Sequence, residues 1–443
     1  MIGCSYGTIF QVTVGGGSYQ EGLITLIQGI PAGIQILEEE IYADLLQRKP
    51  GQGELSSPRR EPDIPVIYTG VNAADTMTGF KNEGYANGTP LTILIPNLDR
   101  HFEHIEQYRV TNRTPRPGHA SYASYQKYGQ WDDSIGAGIF SGRYTSTIVA
   151  AGSIAKKILL DHGIEIFSFV REAAGISMQE MGYDTIRDRV RAFREIRRDM
   201  DPLYNLVYRE GRIRPGMRFV EKIAVLSEIE KMVPDIKRKP LSDDEIGALA
   251  ERGLHPVLNC PHLESARAMY DAIIATRDGG DSSGGVVEVV ARGVPAGIGE
   301  PVFNKLDGEL GRMMSIGTVK AVEIGAGLRV KDMTGSQCND QMFMKNGTVA
   351  FSGNNSGGIT GGLTTGQDIV VRLAIKPTPT IAKPQKTIDK VALKDAELAA
   401  VTRRDPTIVS RVWPVAEAFT AIVLLDQFII NLAGQEMRKK YDK

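Results

Sequence analysis

Gly15-Gly16-Gly17-Ser18, Leu23-Ile24-Thr25-Leu26-Ile27, Gly29-Ile30-Pro31-Ala32-Gly33-Ile34 and finally Arg48 form a run that returns 264 positions later. The second copy reads Gly279-Gly280-Asp281-Ser282, Val287-Glu288-Val289-Val290, Gly293-Val294-Pro295-Ala296-Gly297-Ile298 and Arg312. The strand expected after Gly88 (residues 89–95) has a looser echo after Gly366 (residues 369–375). One supersecondary unit is therefore used twice, which predicts a pseudo-symmetric fold with room for a site between its halves. Each half reads as a half-buried strand, a Pro-Gly turn and a helix. Residues 37–46 have helical spacing with acids in the first turn, so Arg48 leaves a helix end. Residues 145–160 are rich in small side chains, with Val149, Ile154 and Ile158 as apolar positions, a pattern suited to a helix buried between sheets. The expected class is α+β, as a sandwich.

The chain has 443 residues, 52 basic and 53 acidic, for a net charge of −1. Core size is no constraint, and nothing in the bulk charge calls for nucleic acid or an anionic membrane. Any cationic pocket must be local. Cys4, Cys260 and Cys338 are not spaced as metal ligands, which points to a reducing compartment, the cytoplasm, and no structural metal. The N-terminus lacks a basic stretch followed by an apolar run, and the apolar segment 415–432 is interrupted by Glu417, Asp426 and Gln427, so it is read as a core helix. Residues 171–253 differ in character. Runs such as Arg194-Glu195-Ile196-Arg197-Arg198-Asp199, broken by Pro202, Pro215, Pro234 and Pro240, predict short solvated helices inserted into an otherwise single domain covering 1–443. That insertion is either a partner surface or lid, or a solvated decoration.

Several strings carry chemistry. Arg48-Lys49-Pro50-Gly51 and Arg59-Arg60-Glu61-Pro62 put four cations beside turns, and an arginine fork matches carboxylate or phosphate. Basic turns are also common surface features. His119, after Arg116-Pro117-Gly118, suits proton transfer near neutral pH, though a lone histidine is more often structural. The glycines from Gly353 to Gly362 lack the strand-then-helix setting of a P-loop or dinucleotide fingerprint, yet would let backbone approach a flat ring or a phosphate. Lys376-Pro377-Thr378-Pro379-Thr380 presents an ammonium and hydroxyls from a stiff, extended backbone.

In order and wording these strings, with Val149-Ala150-Ala151-Gly152-Ser153-Ile154-Ala155-Lys156-Lys157, resemble chorismate synthase over about residues 1–165 and 258–435. The resemblance implies a β-α-β sandwich and a homotetramer. It also implies a lyase that uses reduced FMN to remove phosphate and a ring proton from 5-enolpyruvylshikimate 3-phosphate by 1,4-anti elimination. Carried over by position, Arg48, Arg60 and Arg143 resemble substrate-binding arginines. His119 resembles the flavin-side catalytic histidine, and Asp405 an acid of proton handling. Ser141, Gly361, Lys376, Pro377, Thr378, Pro379, Thr380 and Arg403 fall on flavin-contacting positions.

The departures matter equally. Where the family has Gly-Glu-Ser-His-Gly this chain has Gly16-Gly17-Ser18-Tyr19-Gln20, so Tyr19 replaces a histidine that assists the leaving phosphate. A phenol donates a hydrogen bond but carries no positive charge at neutral pH. Ile139 and Phe140 replace a cation and a hydroxyl at the flavin edge, which predicts weakened FMN affinity. Ser121 stands for an acid, Arg404 for a histidine before Asp405, and Glu54 for an arginine, reversing a charge expected beside the anion pocket. Three functions compete on this reading: the family lyase reaction; a paralogue acting on shikimate 3-phosphate or another cyclohexene carboxylate; and a non-catalytic binding or assembly protein.

Overall fold

The computed structural model describes residues 3–51, 53–56, 61–74, 82–98, 112–133, 135–234, 236, 241–399 and 405–441. Two five-stranded antiparallel sheets enclose a helical layer. The first is built from β1 (Ser5–Tyr6), β2 (Gln11–Gly16), β3 (Gly22–Gln28), β4 (Val66–Thr69) and β5 (Leu91–Pro96), in the order β1-β2-β3-β5-β4. The second is built from β6 (Glu165–Ala173), β7 (Ile176–Ser177), β8 (Gly285–Arg292), β9 (Val319–Ile324) and β10 (Ile369–Ile375), in the order β7-β6-β8-β10-β9. Both copies of the repeat occupy the middle strand of their sheet. β3 pairs Thr25 with Ile93, and β8 pairs Val289 with Val371, so the strand orders match position for position. Gly29 and Gly293 leave these strands at φ 80° and 76°, and a Cβ at either would strike a neighbouring carbonyl oxygen. Only glycine meets that requirement, which is why both survive in the repeat.

Three helices matter most: α1 (Glu38–Arg48), α2 (Thr145–Asp161) and α3 (Val409–Arg438). α2 packs on β2, β3, β5 and β6, α3 packs on β6 and β8, and α1 lies against both. The molecule is therefore a β-α-β sandwich of the α+β class. α2 and α3 touch at Gly152, where a Cβ would sit 2.5 Å from Ala418 Cα and 2.7 Å from its carbonyl oxygen. α3 is buried on nearly every side from Val409 to Phe428, as its predominantly apolar sequence requires. By length and composition α3 would also span a membrane, but 78% of its apolar window is buried between the sheets.

The Ser410 carbonyl, Glu417 and Asp426 inside α3 are each answered, whereas Ser410 Oγ and Gln427 Oε1 are buried with no hydrogen-bond partner among the described residues. Pro414 cannot donate to the carbonyl of Ser410, and the Trp413 indole N–H donates to that oxygen instead at 3.1 Å. Asp426 accepts from the amides of Thr8, Ile9 and Phe10 at 2.9, 2.7 and 2.9 Å, fixing the β1–β2 turn. Glu417 accepts from Lys156 at 2.7 Å and Arg194 at 2.5 Å, and both cations also reach Asp44, so four charges from four helices close a half-buried ring around the fully buried Glu417.

Residues 171–253 differ from the expectation of short solvated helices. Their first residues complete β6 and form β7, and the helix Tyr183–Asp199 runs for 17 residues with Ile186, Val190 and Phe193 buried on one face. Leu203, Tyr204, Val207, Leu226 and Ile229 then close a second apolar cluster over Tyr42, Leu46, Ile64 and Val66. A charge run marks an outer face, but it does not reveal the apolar stripe beneath it.

Replacing Gly152 by valine forces α2 and α3 apart. The expected loss is at least about 1–3 kcal/mol of unfolding free energy, read from urea denaturation, with most of the apolar core still in place.

Candidate functional site

The C-terminal end of α1 points at the starts of α2 and α3. Arg48, 2% exposed, donates from Nη1 to the carbonyl of Gly142 at 3.0 Å and to Thr145 Oγ1 at 3.1 Å, the residue that opens α2. Its Nη2 lies 2.7 Å from Asp63 Oδ2. Arg143, in the turn that precedes α2, pairs with Asp63 Oδ1, donates from Nε to Asn97 Oδ1 at 2.9 Å, and lies 3.6 Å from Glu61. One carboxylate thus stands between two guanidiniums. The two cations hold Asp63 below the usual carboxylate range against its burial, whereas burial lowers Arg48 to about 10, which leaves it charged at neutral pH.

Arg411, in the first turn of α3, continues the belt. Its Nε donates to the Arg48 carbonyl at 3.0 Å and its Nη1 to Asp405 Oδ1 at 2.8 Å. The Asp405 carbonyl accepts from Thr378 Oγ1 at 2.7 Å, and Thr378 belongs to the segment that leaves β10. Two residues earlier Lys376 Nζ donates to the carbonyl of Gly118, next to His119. Arg116 Nη1 reaches Thr380 Oγ1 at 3.2 Å. A continuous chain of contacts therefore joins Arg143, Asp63, Arg48, Arg411, Asp405, Thr378, Lys376 and the His119 turn, drawing on five separated stretches of sequence.

Two polar atoms in this belt are buried without a hydrogen-bond partner among the described residues: Arg48 Nε and His119 Nδ1. Burial, reinforced by Arg116 and Lys376, lowers His119 to about 4, so its ring is neutral at pH 7. The arginines, the lysine and the starts of two helices make the place suited to an anion. These features fit a phosphate-bearing flavin and a phosphorylated substrate.

A sequence profile described as chorismate synthase matches residues 10–429. The chain belongs to the chorismate synthase family. Chorismate synthase from Acetivibrio thermocellus is 36% identical over 447 aligned positions, covering 97% of this chain and 95% of the relative, and that from Methanosarcina mazei is 35% identical over 430, covering 97% of each. A solved structure titled as a crystal structure of chorismate synthase superposes with a TM-score of 0.64 at 25% identity, covering 99% of this chain and 97% of the other. The family is one of carbon–oxygen lyases of the shikimate pathway, typically FMN-dependent and tetrameric. Its profile runs through residues 171–253 as well as the flanking halves.

Within this chorismate synthase fold the residues singled out from sequence are distributed unevenly. Arg48, Arg143, His119, Asp405, Lys376, Thr378 and Thr380 share the belt, with Pro377 and Pro379 stiffening its edge. Arg60 and Arg403 lie outside the described residues. Ser141 caps the turn carrying Arg143, accepting from the Arg143 amide at 3.3 Å. Tyr19 lays its ring against Gly136, so it borders the 135–140 turn, where Phe140 is 40% exposed beside Tyr128. Gly361 is elsewhere: it lines a hollow of about 360 Å³ with Asp307, Ile324, Asn355 and Ser356.

Glu54 corrects an expectation. Its carboxylate accepts from Tyr270 at 3.1 Å and Arg277 at 3.3 Å on the helix Leu263–Asp278, so an exposed cation draws it outward and it does not reverse the charge of the belt. Sequence reading missed Asp63 and Arg411. Asp63 carried a signal, an acid between Pro62 and Pro65 a few residues after Arg59-Arg60, whereas Arg411 had none beyond standing near Asp405.

His119 tests the electrostatics directly. Because its folded value lies below the unfolded one, the stability it contributes is complete above about pH 6.5 and is lost as the pH falls toward 4. Proton NMR of the ligand-free protein, assigned with His119→Gln, is expected to show no protonation of this ring between pH 7 and 5. Inorganic phosphate beside Arg116 and Lys376 is expected to move the titration upward.

Proposed function

We propose that this chain eliminates phosphate from 5-enolpyruvylshikimate 3-phosphate, using reduced FMN, to give chorismate. The observation that carries the reading is the single belt joining Arg48, Arg143, Asp405 and His119, in which two buried polar atoms have no partner among the described residues. When bound, reduced flavin would supply the electron density for loss of phosphate and an acceptor for the ring hydrogen. Everything else falls to the chain. Arg48 and Arg143, with Arg60, hold the anionic groups of the substrate by forked hydrogen bonds and offset charge developing on the departing phosphate. The neutral His119 ring accepts or passes a proton at Nδ1, and Asp405, oriented by Arg411, takes part in the proton balance at the flavin side. Lys376, Thr378 and Thr380, with Pro377, Pro379, Ser141 and Arg403, hold the flavin.

Tyr19 acts as hydrogen-bond donor to the leaving phosphate. As a neutral donor it stabilises a developing dianion less than an imidazolium would. Ile139 and Phe140 give the flavin edge an apolar border, so FMN binds through the phosphate clamp more than through its ring. The outward turn of Glu54 removes the reason to prefer shikimate 3-phosphate, since no charge is reversed in the belt. Free Cys4, Cys260 and Cys338 accord with a cytoplasmic enzyme. The single domain, with 171–253 attached to it, works as a homotetramer, without nucleic-acid or membrane partners.

The test is anaerobic: purified protein, photoreduced FMN and either 5-enolpyruvylshikimate 3-phosphate or shikimate 3-phosphate, with phosphate release and product absorbance recorded. Turnover is expected with the first compound only and with reduced flavin only; release from neither sinks the reading. Tyr19→His is expected to raise kcat by roughly 10-fold or more by restoring a cationic proton donor.

A further inference from the structure

Asp63 is fully buried and bonded through both oxygens, Oδ2 to Arg48 and Oδ1 to Arg143. Its backbone stands at φ 56°, a left-handed conformation in a stretch bounded by Pro62 and Pro65. Such strain persists only where the surroundings enforce it. Pro62 fixes φ on one side of Asp63 and Pro65 restricts Ile64 on the other, while the two ion pairs hold Asp63 itself. Each arginine is pinned on a second side, Arg48 by Gly142 and Thr145, Arg143 by Asn97. The carboxylate is thus the shared wedge between two otherwise anchored forks.

We infer that Asp63 is a positioning residue of the anion site: it sets the spacing of the Arg48 and Arg143 guanidiniums and, by competing for them, limits how tightly they retain phosphate. The inference rests on the reading that these arginines hold the phosphorylated substrate. With two cations and no counter-charge the pocket would bind the phosphate product strongly and release it slowly. With Asp63 in place the same forks are already half engaged, so an incoming dianion gains less and leaves faster. Glu61, 3.6 Å from Arg143, adds the same effect at that fork from farther away.

Asp63→Asn isolates the charge, because asparagine has nearly the same shape and also tolerates the left-handed backbone. Inorganic phosphate binding is measured by titration calorimetry, and kcat and KM are measured with reduced FMN. D63N is expected to bind phosphate at least 10-fold more tightly than the wild type while kcat falls at least 10-fold, with Glu61→Gln shifting phosphate affinity the same way by less. A merely structural role would weaken binding and turnover together, and that result overturns the inference. If D63N is recovered only in phosphate buffer, its melting midpoint must rise more with added phosphate than that of the wild type; an equal or smaller rise also overturns it. The calorimetric arm does not depend on turnover. An inactive wild type that still shows the affinity gain on D63N would reject the proposed reaction and leave Asp63 its role.

Discussion

The close approach of α2 and α3 at Gly152 and Ala418 is the constraint on which the molecule depends. The two helices fill the space between the sheets, and their N-terminal ends deliver Arg143 and Arg411 to one place. Were the helices separated by the width of a side chain, the starts of both would move, and Arg48 could not reach the Gly142 carbonyl while its own carbonyl accepts from Arg411. Packing of two apolar helices and convergence of cations are thus one geometrical fact. The charged ring of Asp44, Lys156, Arg194 and Glu417 adds to it, because a half-buried ring that loses one member leaves an uncompensated charge.

Most of the architecture was legible because it rests on periodicity and on glycines with no substitute. The repeat beginning at Gly15 named the central strand of each sheet, and the small-residue run at 145–160 named the helix between them. Arg48, Arg143 and His119 were legible through resemblance. The prolines around Asp63 marked its turn, but not its role, since its partner Arg143 lies 80 residues away. Glu54 was misjudged for the opposite reason. Its place in a motif suggested the pocket, but the carboxylate turns to Arg277 on a helix whose position only the fold fixes. The apolar face of the segment after 171 was hidden by the density of its arginines and acids. Lys49 also shows this limit: read as a site cation, it is committed to Asp201 at 2.5 Å and to Tyr42, tying the end of α1 to that segment.

The duplicated unit has been put to two uses. Arg312, the counterpart of Arg48 at the end of the second copy, is mostly exposed, pairs with Glu309 in its own turn and lies 5.7 Å over the Tyr6 ring. Among the described residues no acid in a left-handed turn faces it, and no second helix start meets it. Doubling a fold therefore did not double its chemistry. One half was left free to drift at the position where the other is hemmed in by four neighbours, so natural variation across such chains should pool around Arg312 and thin out around Arg48.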